Sequence, residues 1–152
     1  MLRARRRGIF RRDYEVFADG EQVTALVGGR RETSEFSLAG NDYRIERVDR
    51  RRFRLIGPEG RVAVAERQSG REWTVRADSG NLKLTKPSVW RSSWDIQQRG
   101  TTRGEIRHDG AFKRTYSAGV PADVPLPVAV FALYVVLVIF ERQAAAAASA
   151  GG

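Results

Sequence analysis

Six arginines stand within the first twelve residues, in the segment Leu2-Arg-Ala-Arg-Arg-Arg-Gly-Ile-Phe-Arg-Arg12, and no acid is among them. A guanidinium is a planar fork of donors that stays charged at any pH a cell meets, and phosphate oxygens match its geometry. Arg3, Arg5, Arg6, Arg7, Arg11 and Arg12 are therefore the candidate residues for binding an anionic surface. With Leu2, Ile9 and Phe10 interleaved, the segment suits an acidic phospholipid headgroup layer, where each near-surface cation adds about 1 kcal/mol at low salt. Nucleic-acid phosphates need only arginines at loose spacing, so nucleic acid is a second possible partner. A solvated basic arm without a partner is the plain alternative.

Composition closes off other chemistries. The 152 residues include no cysteine, which excludes disulfides, thiolate-held metals and thiol catalysis. The single histidine, His108, leaves no multi-histidine site, and no calcium-loop pattern is present, so neither metal nor cofactor is expected. His108 and Asp109 adjoin, but Asp109-Gly110 reads as a hairpin turn and no Gly-x-Ser-x-Gly elbow exists. With no nucleophile paired to a base, the reading is a non-enzymatic binding protein with no catalytic residue. Val89-Trp90-Arg-Ser-Ser-Trp94 would set two indoles on one side of a strand, as a base-stacking or headgroup platform requires. Interior packing of Trp90, Trp94 and Trp73 is the plainer expectation, because large aromatics fill a wide interior efficiently.

These residues belong to a chain of two unlike parts. Residues 1–120 hold 42 of the 45 charged side chains, too polar a stretch to build a generous core alone. Beyond it runs Val124-Pro-Leu-Pro-Val-Ala-Val-Phe-Ala-Leu-Tyr-Val-Val-Leu-Val-Ile-Phe140, 17 apolar residues closed by Glu141-Arg142-Gln143. A helix apolar on every side belongs inside a protein or in lipid. About 16 helical residues span roughly 24 Å against roughly 30 Å of bilayer hydrocarbon, so length alone does not choose. Pro125 and Pro127 suit a helix start and Asp123 an N-cap, which places the helix over about 125–142. Residues 143–152 read as an Ala/Gly-rich tail that extends the helix by a turn and then frays. Set in a membrane, the same run would make a tail-anchored protein with a basic cytoplasmic β-domain, as the positive-inside tendency allows. The short run, the two prolines and the Glu141-Arg142 pair weigh instead toward a buried helix. No cleavable signal peptide is expected, and the protein is read as cytoplasmic, peripheral to the inner membrane or anchored in it.

From Tyr14 onward, short β-rich segments are broken by Asp19-Gly20, Gly28-Gly29, Gly40-Asn41, Pro58-Glu59-Gly60, Ser79-Gly80 and Asp109-Gly110. Strands are expected near 14–18, 21–27, 33–38, 43–48, 53–56, 61–66, 71–77, 81–86, 89–97, 102–107 and 111–116. Alternation such as Trp73 and Val75 against Thr74 and Arg76 gives each strand one apolar and one charged face. About eleven or twelve strands should close into a barrel over residues 13–142, and a barrel that wide needs a filling. The fold class is all-β with one C-terminal helix: a closed antiparallel barrel threaded by the hydrophobic segment, with residues 1–12 as a basic arm outside it.

The hairpins of Phe53-Arg-Leu-Ile-Gly-Pro-Glu-Gly-Arg-Val-Ala-Val-Ala65, Arg71-Glu-Trp-Thr-Val75 and Arg103-Gly-Glu-Ile-Arg107, followed by the apolar Val128 to Phe140, resemble the tubby C-terminal-like superfamily, which includes phospholipid scramblases and LURP-one-related proteins. More narrowly the chain is similar to Arg-rich and Ala-rich proteins of high-GC bacteria. The resemblance spans roughly residues 14–142. It implies a barrel of about twelve strands around a hydrophobic C-terminal helix and an anionic phospholipid partner, because tubby proteins bind phosphoinositides. It transfers no individual lipid-contacting residue to this chain.

Overall fold

In a computed structural model that describes residues 1–8, 12–88, 90–110 and 114–151, twelve strands precede one helix. The strands are β1 (Leu2–Arg7), β2 (Asp13–Ala18), β3 (Glu21–Gly28), β4 (Ser34–Leu38), β5 (Asn41–Asp49) and β6 (Arg52–Gly57). They continue with β7 (Gly60–Ser69), β8 (Glu72–Ala77), β9 (Gly80–Thr85), β10 (Ser93–Gln98), β11 (Thr101–His108) and β12 (Thr115–Gly119), and α1 covers Leu126–Gly151. Each strand pairs antiparallel with its neighbours in the chain, and β1 pairs with both β2 and β12, which closes the barrel.

Turn chemistry drives the meander. At Asp19-Gly20 and Ala39-Gly40 both turn residues have positive φ, the backbone of tight hairpins whose twist matches that of the flanking strands. Gly104 in β11 serves closeness rather than flexibility. A Cβ there would lie 1.8 Å from the carbonyl oxygen of Gly119 on β12, so no larger residue fits this strand crossing.

The inward side chains of the strands, among them Val16, Leu26, Ile45, Phe53, Leu55 and Trp73, are buried, and their outward neighbours carry the charges. Closure leaves the lumen without a free strand edge, so a segment placed inside finds no backbone partners there. Buried N–H and C=O groups must be paired, and a helix is the form that pairs them internally. That requirement explains why Val128, Val130, Val135, Val136, Val138 and Ile139, β-branched residues that favour strands, lie in a helix. All twelve residues from Val128 to Ile139 are buried, each large one contributing roughly 1.5–3 kcal/mol of burial.

By length and composition alone α1 could cross a membrane. Here the strands cover the surface that lipid would need, so a tail anchor would require emptying the barrel. Several sequence expectations change in detail. Residues 2–7 are not an arm outside the barrel but its closing strand, which raises the strand count to twelve. Leu2 and Ala4, small enough to face the core between outward arginines, make that possible. The strand expected over 89–97 begins at Ser93, and the one expected over 111–116 covers Thr115–Gly119, with 111–113 outside the described residues. The helix continues through the alanines to Gly151 because alanine is the best helix former. Asp123, expected as the N-cap, lies three residues ahead of α1 and meets Arg103 at 3.5 Å.

Phe131→Ala should lower unfolding stability by about 3–5 kcal/mol in a denaturant titration, since the barrel wall cannot collapse onto the void. A chain ending at Gly119 should aggregate where the full chain stays in solution, because its lumen would present the whole inner apolar face to water.

Candidate functional site

A sequential meander puts alternate connections at the same end of the barrel, so the charges of its loops are sorted by parity. The connections following odd-numbered strands lie where α1 leaves the barrel, since Glu32 and Arg50 there contact Arg142 of the helix. Among the described residues, these loops carry Arg12, Arg30 and Arg31, then Arg50, Arg51 and Arg71, then Lys86, Arg91 and Arg114. Against these nine cations stand two loop carboxylates, Glu32 and Asp109. The connections at the other end carry four carboxylates, Asp19, Glu59, Asp78 and Asp123, and one cation, Arg99. The barrel is therefore electrically polar along its axis.

Rim and wall also differ in how their charges are satisfied. On the wall, cations meet carboxylates along or across strands: Arg44 on the same strand and Arg54 on the next each reach Glu46 at 2.6 Å, Arg52 and Arg76 flank Glu66, and Arg5 and Arg7 share Glu15. Of the nine rim cations, Arg12 alone pairs with a carboxylate, Glu141 at 2.6 Å. Arg71 donates to the backbone carbonyls of Lys86 and Pro87, and Arg114 to that of Gly8, which fixes their position and leaves their charge uncompensated.

The helix is fastened to this rim by a small ionic network. Arg142 grips Glu32 with two hydrogen bonds of 2.7 Å, donates to the carbonyl of Arg50 at 2.9 Å and lies over the Phe53 ring. Arg47 adds an ion contact to Glu32 at 3.5 Å, and the Tyr134 hydroxyl, buried in α1, donates to the Glu32 carbonyl at 2.7 Å. Arg31 and Glu32 both hold positive φ, an uncommon backbone for such residues that turns the Glu32 carboxylate inward. Burial by itself would raise the Glu32 carboxyl, but the hydrogen bonds and charge of Arg142, with Arg47 and Arg12 beyond, outweigh it and hold it below its ordinary value. On the other side of the helix, Glu141 accepts a hydrogen bond from the Tyr14 hydroxyl, which burial and then Glu141 itself keep protonated. Between the network and the projecting alanines lies a groove of about 760 Å3, lined by Arg12, Arg31, Arg47, Arg50 and Arg142 against Glu32 and Glu141.

The six arginines singled out in the sequence do not form one patch. Alternation along β1 sends Arg3, Arg5 and Arg7 outward onto the wall and turns Arg6 partly inward, where its Nε is buried without a hydrogen-bond partner. Arg12 joins the rim, and Arg11 lies outside the described residues. The rim arginines themselves went unnoticed as a group, yet a signal exists: Arg11-Arg12, Arg30-Arg31, Arg50-Arg51, Arg71, Arg91 and Lys113-Arg114 recur at about twenty residues, one hairpin repeat.

His108 stacks on Tyr116 at 4.6 Å, and the Ser117 hydroxyl donates directly to Asp109 rather than through the imidazole, so this corner is packing and turn structure. The two indoles are separated: Trp94 is buried in the lumen, while Trp90 sits in the β9–β10 connection and is 92% exposed. Val89 lies outside the described residues.

No family model, no curated protein and no solved structure matches the chain. Its class rests on its own architecture, a closed twelve-stranded antiparallel barrel filled by its C-terminal helix, with a basic end where the helix leaves.

Glu32→Gln should cost about 3 kcal/mol, because it strips the carboxylate from Arg142 and Arg47. With its folded value depressed, Glu32 contributes stability that is full above its ordinary value of 4.5 and is lost as pH falls through the lower folded value. Thermal unfolding of the native chain should therefore drop over that acid window, and Glu32→Gln should flatten part of the drop.

Proposed function

We propose that the protein is a non-enzymatic binding protein that docks on anionic phospholipid through the rim where α1 leaves the barrel. The observation that supports it is the contrast between a wall where most cations have a carboxylate neighbour, with Arg3, Arg6, Arg61 and Arg67 as the exceptions, and a rim where eight of nine described cations have none. Uncompensated guanidinium groups on pinned loops have little structural use, since isolated surface charges add little to stability and like charges repel. They are suited to a surface that brings many phosphates at once. An inner membrane leaflet does so, each near-surface cation contributing about 1 kcal/mol at low salt. The resemblance to tubby and scramblase proteins points the same way, toward phospholipid. The protein would then be cytoplasmic and peripheral to the inner membrane.

The reading moves the binding residues. Arg3, Arg5 and Arg7 face sideways, with Arg5 and Arg7 already paired, so Arg12 and the loop arginines take the role first given to the N-terminal segment. Deleting residues 1–12 would remove β1 and open the barrel, so point substitutions make the test.

In co-sedimentation with phosphatidylglycerol vesicles, Arg30→Gln with Arg31→Gln should weaken binding about thirtyfold, the effect of roughly 2 kcal/mol from two rim cations. Arg61→Gln with Arg99→Gln, an equal loss of charge nearer the other end, should change it little. Equal effects would mean that net charge and not the rim carries binding. A chain that ignores acidic vesicles but binds duplex DNA with a steep salt dependence would be a nucleic-acid-binding module instead.

A further inference from the structure

The large apolar side chains that the barrel leaves exposed are not scattered. Among the described residues they are Met1, Val27, Val48 and Trp90, and three of the four lie at the helix-exit end. Val27 and Val48 are next to the last residues of β3 and β5 on the wall just below the rim, and Trp90 stands in the rim itself. Trp90 is the most exposed of them at 92%, a placement that wastes the largest apolar side chain of the chain unless something covers it.

Its loop is built to hold it there. Ser88 Oγ accepts the Trp90 backbone N–H at 3.2 Å, and the Ser88 carbonyl accepts that of Arg91 at 3.4 Å, which ties both residues back to Ser88. Arg71 clamps the loop's base through the carbonyls of Lys86 and Pro87 at 3.0 and 2.7 Å, and the Lys86 N–H returns to the Arg71 carbonyl at 2.9 Å. On the far side the His108 N–H donates to the Ser92 carbonyl at 3.2 Å. The indole is thus presented from a braced connection, flanked in sequence by Lys86 and Arg91.

We infer that Trp90 inserts into the interfacial region of an anionic phospholipid bilayer, so that the barrel stands end-on with the helix-exit rim against the membrane. This rests on the lipid reading above and adds to it an anchor and an orientation. An indole is suited to the headgroup boundary, with an apolar body and one N–H for the wet side, while the surrounding arginines meet the phosphates. The complementarity of charge selects lipid of acidic type, and the rest of the face agrees. The side chains of the part of α1 that projects from the rim, Gln143 to Gly151, carry no charge.

Tryptophan emission reads this directly, because Trp73 and Trp94 are buried and Trp90 alone changes surroundings on docking. Added to vesicles of mixed phosphatidylglycerol and phosphatidylcholine, the full chain should show a blue shift of its red-emitting component and quenching by brominated acyl chains. Trp90→Phe should lose both signals while binding within about threefold of the native chain, and Trp90→Ala should bind about tenfold more weakly, an aromatic anchor being lost. Sedimentation with these vesicles without any shift or acyl-chain quenching would overturn insertion and leave the electrostatic docking standing. No sedimentation at all would overturn both. A shift retained in Trp90→Phe, or one produced by single-stranded DNA and not by vesicles, would overturn the inference in favour of a rearranged core or a base-stacking role.

Discussion

The structure depends on one constraint: a sheet closed into a barrel has no spare edge, so whatever fills its lumen must satisfy its own backbone. The chain meets this with a helix made largely of residues that prefer strands, from Val128 to Ile139. Local preference is worth tenths of a kcal/mol per residue, whereas an unpaired buried N–H or C=O costs about 1–3 kcal/mol, so the lumen decides. The dependence runs both ways. Without the helix, the inward faces of strands whose other side is charged would have nothing to bury against.

The same closure explains why the charges sort as they do. Wall residues sit opposite partners on neighbouring strands, at distances set by the ladder, and acids and arginines there neutralise one another in pairs such as Glu46 with Arg54. Loop residues have no ladder to bring them partners. In a meander, alternate loops converge on one end, and repeated arginines at about twenty-residue spacing accumulate there.

Where helix and rim meet, the two themes join. Glu141 and Arg142 end the apolar run at the level of the loops, and each is received by a partner from the barrel, Tyr14 with Arg12 and Glu32 with Arg47. This network sets how far the helix enters the lumen and spends part of the rim's charge on structure. The connections that take no part in it bear Arg71, Lys86, Arg91 and Arg114, whose charges meet no carboxylate among the described residues.

Much of this was legible in the residues. Alternation at Trp73 and Val75, the Gly-containing turns and an apolar run without a polar side imply a barrel with a buried helix, because each follows from local stereochemistry or from the exclusion of apolar surface from water. The closing strand was not legible, since Leu2-Arg-Ala-Arg reads as a basic arm until Leu2 and Ala4 are seen against the core. Trp90 and Trp94 looked equivalent at four residues' spacing, and the start of β10 at Ser93 separated one from the other. By itself, then, the sequence determined which residues must leave water and how much positive charge the surface must carry. Tertiary structure alone decided where that charge gathers, because the end of the barrel to which a loop belongs depends on how many strands precede it and on the closure that makes the count a direction.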